Sequence, residues 1–341
     1  MKNQNLFEAR WWEESKNSKL LCTLCPRYCE IGPGQAGFCY IRQNINGKLY
    51  SIGYGRPTGF AIDPIEKKPL NHFYPGTKIL SFGTAGCNLG CKFCQNWTTS
   101  KAKLDDSNSI IASPEDVVLL AKRYGTPSIA YTYNDPTIFG EFVIDVANLA
   151  RQENIKSVMV TAGYIDKEAR KDIYKNIDAA NVDLKAFTEE FYFKNTYSHI
   201  NYVLDTLMWI KHDTDVWLEI TTLLIPGEND SDDEIKKECD WILKNLGDEV
   251  PIHFTAFHPD FKMMNKKSTP HTTLINAKSI ALSAGIKYVY LGNVHDSKNQ
   301  STYCNNCNSL LIERNWHQIN PVNLRGSKCK ICGNKLSGVF L

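Results

Sequence analysis

The sequence SFGTAGCNLGCKFCQNW, residues 81–97, places three of the chain's twelve cysteines in one short loop after a strand-like run. These cysteines, in the spacing Cys-x3-Cys-x2-Cys, are Cys87, Cys91 and Cys94. A structural zinc site or a complete cubane cluster needs four protein ligands, whereas three thiolates leave one iron of a [4Fe-4S] cluster open to another molecule. We therefore expect a [4Fe-4S] cluster on this loop. The alternative is a zinc loop that takes a fourth ligand from elsewhere, such as His72.

Strand and helix patterns alternate around this loop. Runs rich in β-branched and aromatic residues predict strands at 78–84, 128–133, 156–163, 179–187, 215–227, 251–257 and 287–293. Helical patterns separate them, and the one that starts at Ser113 has Pro114 at its first helical position. The alternation predicts an α/β fold of parallel strands, either an open doubly wound sheet or a full or partial barrel. In both architectures, functional residues lie at the carboxyl ends of the strands.

The composition is that of an ordinary folded protein. Of 341 residues, 43% are hydrophobic and 22% are charged, which argues against a disordered or collagen-like chain. The 39 Lys and Arg against 37 Asp and Glu give a formal charge of +2, too balanced for a dedicated nucleic-acid surface. No run reaches the roughly 18 apolar residues of a membrane span, and the N-terminus does not resemble a secretory signal. We expect a cytoplasmic protein, in which clustered cysteines bind metal rather than form disulfides.

Two Cys-x2-Cys pairs lie near the C-terminus. Their members are Cys304, Cys307, Cys329 and Cys332. Four thiolates close a tetrahedral site, and a segment of this size has little core of its own, so a bound metal would supply its folding energy. The pairs predict a zinc-ribbon or rubredoxin-like module, with a structural zinc favoured over a redox iron. A nucleic-acid-binding ribbon is the lesser alternative, because the intervening sequence is only modestly basic.

Another four cysteines lie near the N-terminus in the spacing Cys-x2-Cys-x3-Cys-x9-Cys. They are Cys22, Cys25, Cys29 and Cys39. The segment GPGQAG, residues 32–37, allows the chain to wrap closely around an ion or a cluster. A zinc ion and an auxiliary iron–sulfur cluster are both satisfied by four thiolates, so both interpretations stay open. The twelfth cysteine, Cys239, lies in a helical pattern and receives no functional role.

Together these motifs resemble the radical S-adenosylmethionine (SAM) enzymes, whose hallmark is Cys-x3-Cys-x2-Cys on the loop after the first barrel strand. YTYNDP, which contains Asn134 and Asp135, matches the Gly-Gly-Glu-Pro motif that receives the SAM amino group in this family, with the glycines replaced. DLK, with Asp183 and Lys185, matches a later strand-end motif, and His258 matches a histidine near the bound nucleoside. The resemblance implies that these five residues bind the cofactor.

In that role, Asp135 would accept the SAM amino group, and Lys185 or His258 would meet carboxylate or ribose oxygens. Each also has an ordinary structural interpretation: Asp135 as a helix cap before Pro136, Lys185 as a solvated strand end, and His258 as a hydrogen-bonded loop histidine. PGEND, residues 226–230, matches one more strand-end motif of the family.

The similarity is closest to the radical SAM protein of the AmmeMemoRadiSam system, with proteins like the pyruvate formate-lyase activating enzyme a step further away. It is based on LCPRYCEIGPGQAGFCYIR (24–42) and AIDPIEKKPLNHFYPGT (61–77), although DPIEKKPLNHF also has an ordinary interpretation as a charged loop. The resemblance implies a radical SAM partial (β/α)6 TIM-like barrel at 76–296. A cysteine-rich N-terminal module at 1–75 and a C-terminal zinc-ribbon-like module at 297–341 would flank it.

The implied activity is that of an enzyme whose [4Fe-4S] cluster cleaves SAM reductively. The resulting 5′-deoxyadenosyl radical would abstract hydrogen from a substrate that the sequence does not identify. One alternative is an activase that places a glycyl radical on a partner protein; another is a metal-binding scaffold or nucleic-acid adaptor without catalysis, which leaves the strand-end motifs unexplained. The implied partners are an electron donor such as flavodoxin or ferredoxin, a substrate that in the activase case is a protein, and a Memo-family protein. Neither a membrane nor a nucleic acid is expected.

Overall fold

The structure, a computed structural model, describes residues 6–316 and 318–341. The described chain begins with six short strands: β1 (Phe7–Glu8), β2 (Trp12–Glu14), β3 (Leu20–Cys22), β4 (Glu30–Ile31), β5 (Arg42–Ile45) and β6 (Lys48–Ser51). They form two antiparallel sheets in the orders β1-β6-β5 and β2-β3-β4. The N-terminal cysteines therefore lie on short strands and the loops between them, not on helices.

An eight-stranded sheet forms the centre of the molecule. Its strands are β7 (Thr58–Pro64), β8 (Lys78–Gly83), β9 (Ser128–Tyr131), β10 (Lys156–Thr161), β11 (Ala179–Asp183), β12 (Trp217–Leu224), β13 (Ile252–Ala256) and β14 (Val289–Gly292). Strands β8 to β14 run parallel, each beside the next one in sequence, and β7 pairs antiparallel with β8. The strand order never reverses as it does in a doubly wound sheet, so this is a partial barrel with β7 and β14 at its edges.

Helices connect the parallel strands. The α-helices of the described chain are α1 (Trp97–Ser100), α2 (Pro114–Tyr124), α3 (Gly140–Gln152), α4 (Lys167–Ile173), α5 (Glu189–Phe191), α6 (Ile200–Asp213), α7 (Asp232–Leu246), α8 (His271–Ala284) and α9 (Ser297–Gln300). Short 3-10 turns span Ile65–Lys67, Pro136–Phe139 and Tyr174–Asn176, and a π-helical turn spans Tyr192–Thr196. Six strand–helix units are thus present, followed by β14 as a seventh parallel strand. None of the described helices is long and apolar enough to span a membrane.

Helix α2 shows how local sequence sets these boundaries. The Ser113 side chain accepts a hydrogen bond from the Asp116 N–H, the Asp116 carboxylate accepts one from the Ser113 N–H, and Pro114 takes the first helical position. Gly125 ends the helix in the left-handed conformation, at φ 62°. Strand β9 is buried along its whole length, as expected for a parallel strand that is covered on both faces. The apolar runs in the sequence are therefore the inner strands of the barrel.

The C-terminal segment adds β15 (Thr302–Tyr303), β16 (Leu310–Asn315), β17 (Gln318–Pro321), β18 (Leu324–Arg325) and β19 (Lys328–Cys329). Strands β15, β16 and β17 form an antiparallel sheet, and β18 pairs with β19. Tyr288 and Tyr290 at the barrel edge pack in one apolar cluster with Leu311, Ile312 and Leu336 of this segment. The segment is therefore docked on the barrel beside β14.

The division at residues 75 and 297 stays a prediction. Strand β7 precedes residue 76 but belongs to the central sheet, where Ile62 pairs with Leu80. Across the second boundary, a backbone bridge joins Phe73 to Val339. The three sequence segments are thus in extensive contact.

Candidate active site

A cavity of about 400 Å³ opens at the carboxyl ends of the parallel strands. Side chains from the loop after β8 and from the ends of β9 to β13 line it. Seven of the residues expected in the site are among them: Cys87, Cys91, Cys94, Asn134, Asp135, Asp183 and Lys185. Because parallel strands end at one side of a barrel, side chains that are far apart in sequence meet here.

Contacts with the segment after α5 hold the three-cysteine loop in place. The Gly90 N–H donates to the Thr196 carbonyl at 2.8 Å, and the Lys92 N–H donates to the Asn195 carbonyl at 2.9 Å. A Cβ atom on Gly90 would lie 2.2 Å from the ring of Tyr197, so the close approach requires glycine. The loop conformation is thus fixed by long-range packing as well as by its own sequence.

The three thiols line one cavity, as the ligands of a cluster would. Among the described residues, the group of thiol, imidazole or carboxylate ligands that stands close enough to hold one metal ion is at the C-terminus and does not include these three cysteines. A cubane cluster binds each thiolate at a different iron, so its ligand sulfurs stand farther apart than those around one ion. Burial raises the pKa of the Cys87 thiol to about 12, so this thiol needs a bound metal to lose its proton.

Asp135 is buried at the end of β9, where it is 2% exposed. Its carboxylate accepts hydrogen bonds from the N–H groups of Thr137 and Ala162, both at 2.9 Å, and from the Thr161 hydroxyl at 3.1 Å. The bond from Thr137 caps the 3-10 turn Pro136–Phe139, which confirms that Asp135 is a cap residue. A carboxylate has about four lone-pair sites, and three donors leave one of them for a ligand in the cavity.

The protonation of Asp135 reflects two opposing effects. Burial raises the pKa of this carboxyl group above its ordinary value, and the donors from Thr137, Ala162 and Thr161 oppose that rise. A cationic ligand at the remaining lone-pair site would lower the pKa of Asp135 and favour its carboxylate form.

Asn134 connects the end of β9 with the cysteine loop. Its side-chain nitrogen donates to the Gly86 carbonyl at 2.9 Å, and its side-chain oxygen accepts from the Thr84 N–H at 3.4 Å. The side chain therefore positions the backbone that leads into Cys87, although it also lines the cavity.

Asp183 and Lys185, at the end of β11, form an ion pair that lines the cavity, with 2.8 Å between Nζ and Oδ2. The Lys185 side chain is 13% exposed, so it is not a solvated strand end. Burial lowers the pKa of Lys185, but the attraction of the neighbouring Asp183 carboxylate opposes it, and the net shift is upward. Asn229, from the PGEND motif, donates to the Lys185 carbonyl at 2.8 Å and fixes the strand end.

His258 lies at the rim and is not among the residues that line the cavity. Its side chain is 59% exposed. Nδ1 lies 3.0 Å from Nε2 of Gln95, and Nε2 lies 3.9 Å from a carboxylate oxygen of Asp260. The structure thus brings His258 beside Gln95, which lines the cavity, but not to the strand ends themselves.

Lys67 and Lys68 line the cavity and were not predicted for the site. They follow β7, and their Nζ atoms lie 3.0 and 2.6 Å from the carboxylate of Asp63. Tyr133 donates its hydroxyl to the same carboxylate at 3.3 Å. The signal in the sequence was the phrase DPIEKKPLNHF, which places two cations directly after a strand.

His72 is not a ligand of the cysteine loop. It is fully buried, with Nδ1 2.6 Å from the Ser337 carbonyl and Nε2 2.5 Å from the Tyr290 hydroxyl. Burial lowers its pKa to about 4, so the imidazole is neutral. Because both ring nitrogens are engaged, the alternative of a zinc loop completed by His72 is wrong.

The C-terminal cysteines have the geometry of a single-ion site. The Sγ atoms of Cys304 and Cys332 lie 3.6 Å apart, and those of Cys307 and Cys329 lie 3.7 Å apart. A tetrahedral zinc with bonds of about 2.3 Å separates its sulfurs by about 3.8 Å, so these residues fit the ion. The N-terminal cysteines line a different cavity, together with Asn88 of the three-cysteine loop.

Comparison with known proteins shows which proteins this chain is similar to. Residues 82–239 match the family model of the radical SAM superfamily. An uncharacterized protein of Methanocaldococcus jannaschii is 43% identical over 335 residues, which cover 98% of this chain and 99% of that protein. A pyruvate formate-lyase-activating enzyme of Clostridium pasteurianum is 24% identical over 191 residues, which cover 54% of this chain and 76% of the enzyme.

A solved structure shares the fold. The radical SAM methyltransferase of Sphaerobacter thermophilus superposes with a TM-score of 0.51 at 16% identity, over 64% of this chain and 67% of the methyltransferase. The strand order and the match to the family model agree. The chain therefore belongs to the radical SAM superfamily, a superfamily of iron–sulfur enzymes that use S-adenosylmethionine.

Proposed function

We propose that this enzyme binds a [4Fe-4S] cluster through Cys87, Cys91 and Cys94 and binds SAM in the adjoining cavity. When bound, the cluster supplies one electron for reductive cleavage of SAM to methionine and a 5′-deoxyadenosyl radical, which abstracts hydrogen from the substrate. The observation that supports this proposal is the meeting of three thiols, a buried carboxylate with one free acceptor site and a buried lysine at one cavity.

Each of the residues at this cavity would have a separate role. Asp135 would accept a charge-assisted hydrogen bond from the SAM ammonium, and Lys185 would donate to carboxylate or ribose oxygens. Asp183 would keep Lys185 charged, while Asn134 would hold the cysteine loop at the strand end. His258 would contact only a ligand group that reaches the rim.

Within the superfamily, we propose a place in the AmmeMemoRadiSam system, with a Memo-family protein as partner and flavodoxin or ferredoxin as electron donor. The phrases at 24–42 and 61–77 support this assignment: the second contributes Lys67, Lys68 and Pro69 to the barrel cavity, and the first lines the cavity at the N-terminal cysteines. A structural zinc at the C-terminal cysteines and a cytoplasmic location complete the proposal. All twelve cysteines are free thiols, which suits a reducing compartment.

A glycyl-radical activase is the second candidate. The similarity to a pyruvate formate-lyase-activating enzyme favours it, and it differs from the first in requiring a protein as substrate.

The deciding experiment is anaerobic reconstitution with iron and sulfide, followed by measurement of 5′-deoxyadenosine from SAM and a reductant. The wild-type chain should form it, and the triple variant Cys87→Ala, Cys91→Ala, Cys94→Ala should not. Cys239→Ala is the matched control, because Cys239 is a buried cysteine in α7 that does not line the cavity. This substitution should leave product formation unchanged. Product formation by the triple variant would contradict the cluster assignment.

Isotope transfer separates the two candidates. Deuterated cells provide a protein fraction and a small-molecule fraction, each of which is added to unlabelled enzyme and SAM. An activase acquires deuterium in 5′-deoxyadenosine from the protein fraction. Label that comes from the small-molecule fraction alone would exclude the activase.

A further inference from the structure

One end of the barrel cavity carries positive charge that the proposed reaction does not use. We call this end the floor and define it as residues 67–69, all of which line the cavity. Of the residues that the structure describes, five charged side chains line the cavity: Lys67, Lys68, Lys185, Asp135 and Asp183. Lys185 pairs with Asp183, and Asp135 is proposed to bind the SAM ammonium. The two lysines of the floor are therefore left without a role.

A single carboxylate, that of Asp63 near the end of β7, serves both lysines. Nζ of Lys67 lies 3.0 Å from Oδ1, and Nζ of Lys68 lies 2.6 Å from Oδ2. An ammonium group has three N–H donors, and within the described chain each of these two donates to Asp63 alone. Two cations and one anion give the floor a net charge of +1, with N–H donors left over.

The burial of Lys68 makes a further anion favourable. Its side chain is 3% exposed, and its Nζ lies 5.3 Å from the centre of the Tyr133 ring. Burial lowers the pKa of Lys68, and the Asp63 carboxylate opposes that shift. Burial would raise the pKa of Asp63, but the hydrogen bonds from Lys68 and Lys67 lower it to about 2, so this carboxylate is ionised. A second anion would offset the remaining cost of burying the ammonium.

The floor lies at the opposite end of β8 from the three-cysteine loop. Pro64, just before the floor, pairs with Lys78, the first residue of β8, whereas Cys87 lies beyond the other end of that strand. The six residues of a strand span roughly 17 Å. The Pro69 carbonyl accepts a hydrogen bond from the Asn181 side chain of β11 at 2.8 Å, so the floor crosses the barrel interior. A ligand on the floor is therefore across the cavity from the proposed cluster.

The wall between the floor and the strand ends is uncharged. Val160, which lines the cavity, pairs in the sheet with Asn181, at the level of the floor. Thr221 pairs with Asp183, at the level of the strand ends, and Leu223 follows it on β12. These side chains offer apolar surface and a hydroxyl group. The part of a ligand that contacts them should therefore be uncharged.

We propose that Lys67 and Lys68 bind the carboxylate or phosphate group of a small-molecule substrate, which extends from the floor towards the SAM site. The anion would accept hydrogen bonds from the unused N–H donors of the two lysines and offset the net charge of the floor. SAM has a carboxylate too, but on the same carbon as its ammonium, so that group would lie beside Asp135. The anion site stands on the geometry of the floor, whereas its occupant as the substrate rests on the proposed function.

Isotope transfer from separated pools tests the substrate class. The small-molecule extract of deuterated cells is divided on an anion-exchange resin into retained anions and a flow-through of neutral and cationic compounds. Each pool, and the protein fraction, is added to reconstituted wild-type enzyme with SAM and dithionite. Deuterium should enter 5′-deoxyadenosine from the retained pool. Label from the flow-through alone or from the protein fraction alone would overturn the proposal.

Treatment of the retained pool with alkaline phosphatase distinguishes the two anions. Loss of the transferred label identifies a phosphate, and its persistence identifies a carboxylate. Both results support an anionic substrate.

Variants of Lys67 test the residue itself. Its side chain is 55% exposed, so Lys67→Met removes a charge with little effect on the fold. Deuterium transfer from a limiting amount of the retained pool should fall roughly ten- to a hundredfold, while SAM affinity, read from the cluster spectrum, should not change. Lys67→Arg keeps the charge and should restore most of the transfer. Unchanged transfer in Lys67→Met, or an equal loss of SAM affinity, would contradict the assignment.

Lys156→Met is the matched control. Lys156 pairs with Asp178 at 2.8 Å at the start of β10, and neither residue lines the cavity. This variant also breaks a lysine–aspartate pair, so it should transfer deuterium as the wild type does. A loss equal to that of Lys67→Met would show a general effect of ion-pair removal and would refute the floor site.

Anion binding also has a test that needs neither cluster nor SAM. Calorimetric titration of the full-length chain with inorganic phosphate should show binding that is roughly tenfold weaker in Lys67→Met and unaltered in Lys156→Met. If phosphate binding depends on Lys67 but the wild type forms no 5′-deoxyadenosine, the proposed function fails and the anion site stands. Phosphate binding that is equal in the wild type and Lys67→Met, or absent from both, would overturn the anion site.

Discussion

Replacement of Asp135 distinguishes a SAM ligand from a simple turn cap. The Asp135→Asn variant keeps the size of the side chain and removes its negative charge. A charge-assisted hydrogen bond to the SAM ammonium is worth about 1.5 to 3 kcal/mol. We therefore expect SAM affinity to fall roughly ten- to a hundredfold.

The same substitution destabilises the fold by an amount that follows from the contacts. The Thr137 N–H bonds to one carboxylate oxygen of Asp135 and the Ala162 N–H to the other. An amide has a single oxygen, so one buried N–H loses its acceptor, at a cost of about 1 to 3 kcal/mol. Thr161→Val is the matched control: it removes a donor to Asp135 and the acceptor of the Gly163 N–H, but it leaves the charge. It should lose similar stability and bind SAM almost normally.

The assay titrates SAM into each anaerobically reconstituted protein and follows the cluster spectrum, while urea unfolding gives the free energy of unfolding. The ligand role requires that only Asp135→Asn weakens SAM binding. If both variants lose stability alike and bind SAM as tightly as the wild type does, Asp135 is a cap and the reasoning is refuted.

Three further predictions concern other parts of the chain. Cys304→Ser should release about one zinc per chain and lower the melting temperature; a full zinc content after dialysis would contradict the site. Burial lowers the pKa of His72 to about 4. Between pH 4 and about pH 6.5, the folded state therefore binds fewer protons than the unfolded state. Stability that is present above about pH 6.5 is lost as the pH falls towards 4. His72→Gln should remove up to about 3 kcal/mol of that loss in urea unfolding measured at both pH values, and an unchanged pH dependence would argue against it. Gly90→Ala should lower the iron content, because the added methyl group would lie 2.2 Å from the Tyr197 ring. Adding Tyr197→Ala to the same chain should restore the iron. If iron is not restored, this contact does not control the loop.

Local periodicity predicted the parallel strands well, because each contains an apolar run. The run at 78–84 corresponds to β8 (Lys78–Gly83), and the run at 287–293 corresponds to β14 (Val289–Gly292). The predictions extend past the strand ends because apolar residues continue into the loops that bear the site. The choice between a barrel and a doubly wound sheet depends on strand order, which is a long-range property that periodicity does not contain.

The candidate site was predictable to the extent that it follows strand ends. Asp135, Asp183 and Lys185 lie directly after or at the end of parallel strands, so the barrel brings them to one cavity. His258 follows β13 on a loop whose path the sequence does not specify, and it lies at the rim. Lys67 was missed because it follows β7, an antiparallel edge strand outside the β/α alternation.

The phrase DPIEKKPLNHF, residues 63–73, is not a solvated charged loop, because its two ends have different buried partners. Lys67 and Lys68 face the barrel cavity, whereas the backbone N–H groups of Asn71 and His72 both donate to Glu219, which is fully buried.

Glu219 also accepts hydrogen bonds from His253 and Trp217, and the Asn71 carbonyl accepts one from Arg314 of the C-terminal segment at 2.7 Å. Loss of the Glu219 carboxylate would leave four donors without their acceptor in a site closed to water, and each such donor costs about 1 to 3 kcal/mol. The segment is therefore held at two places. Lys67 and Lys68 pair with Asp63 beside the barrel cavity, and the residues that follow them bond to Glu219 and to Arg314 of the C-terminal segment. The charged run 63–73 is therefore part of the packed structure and not a solvated loop.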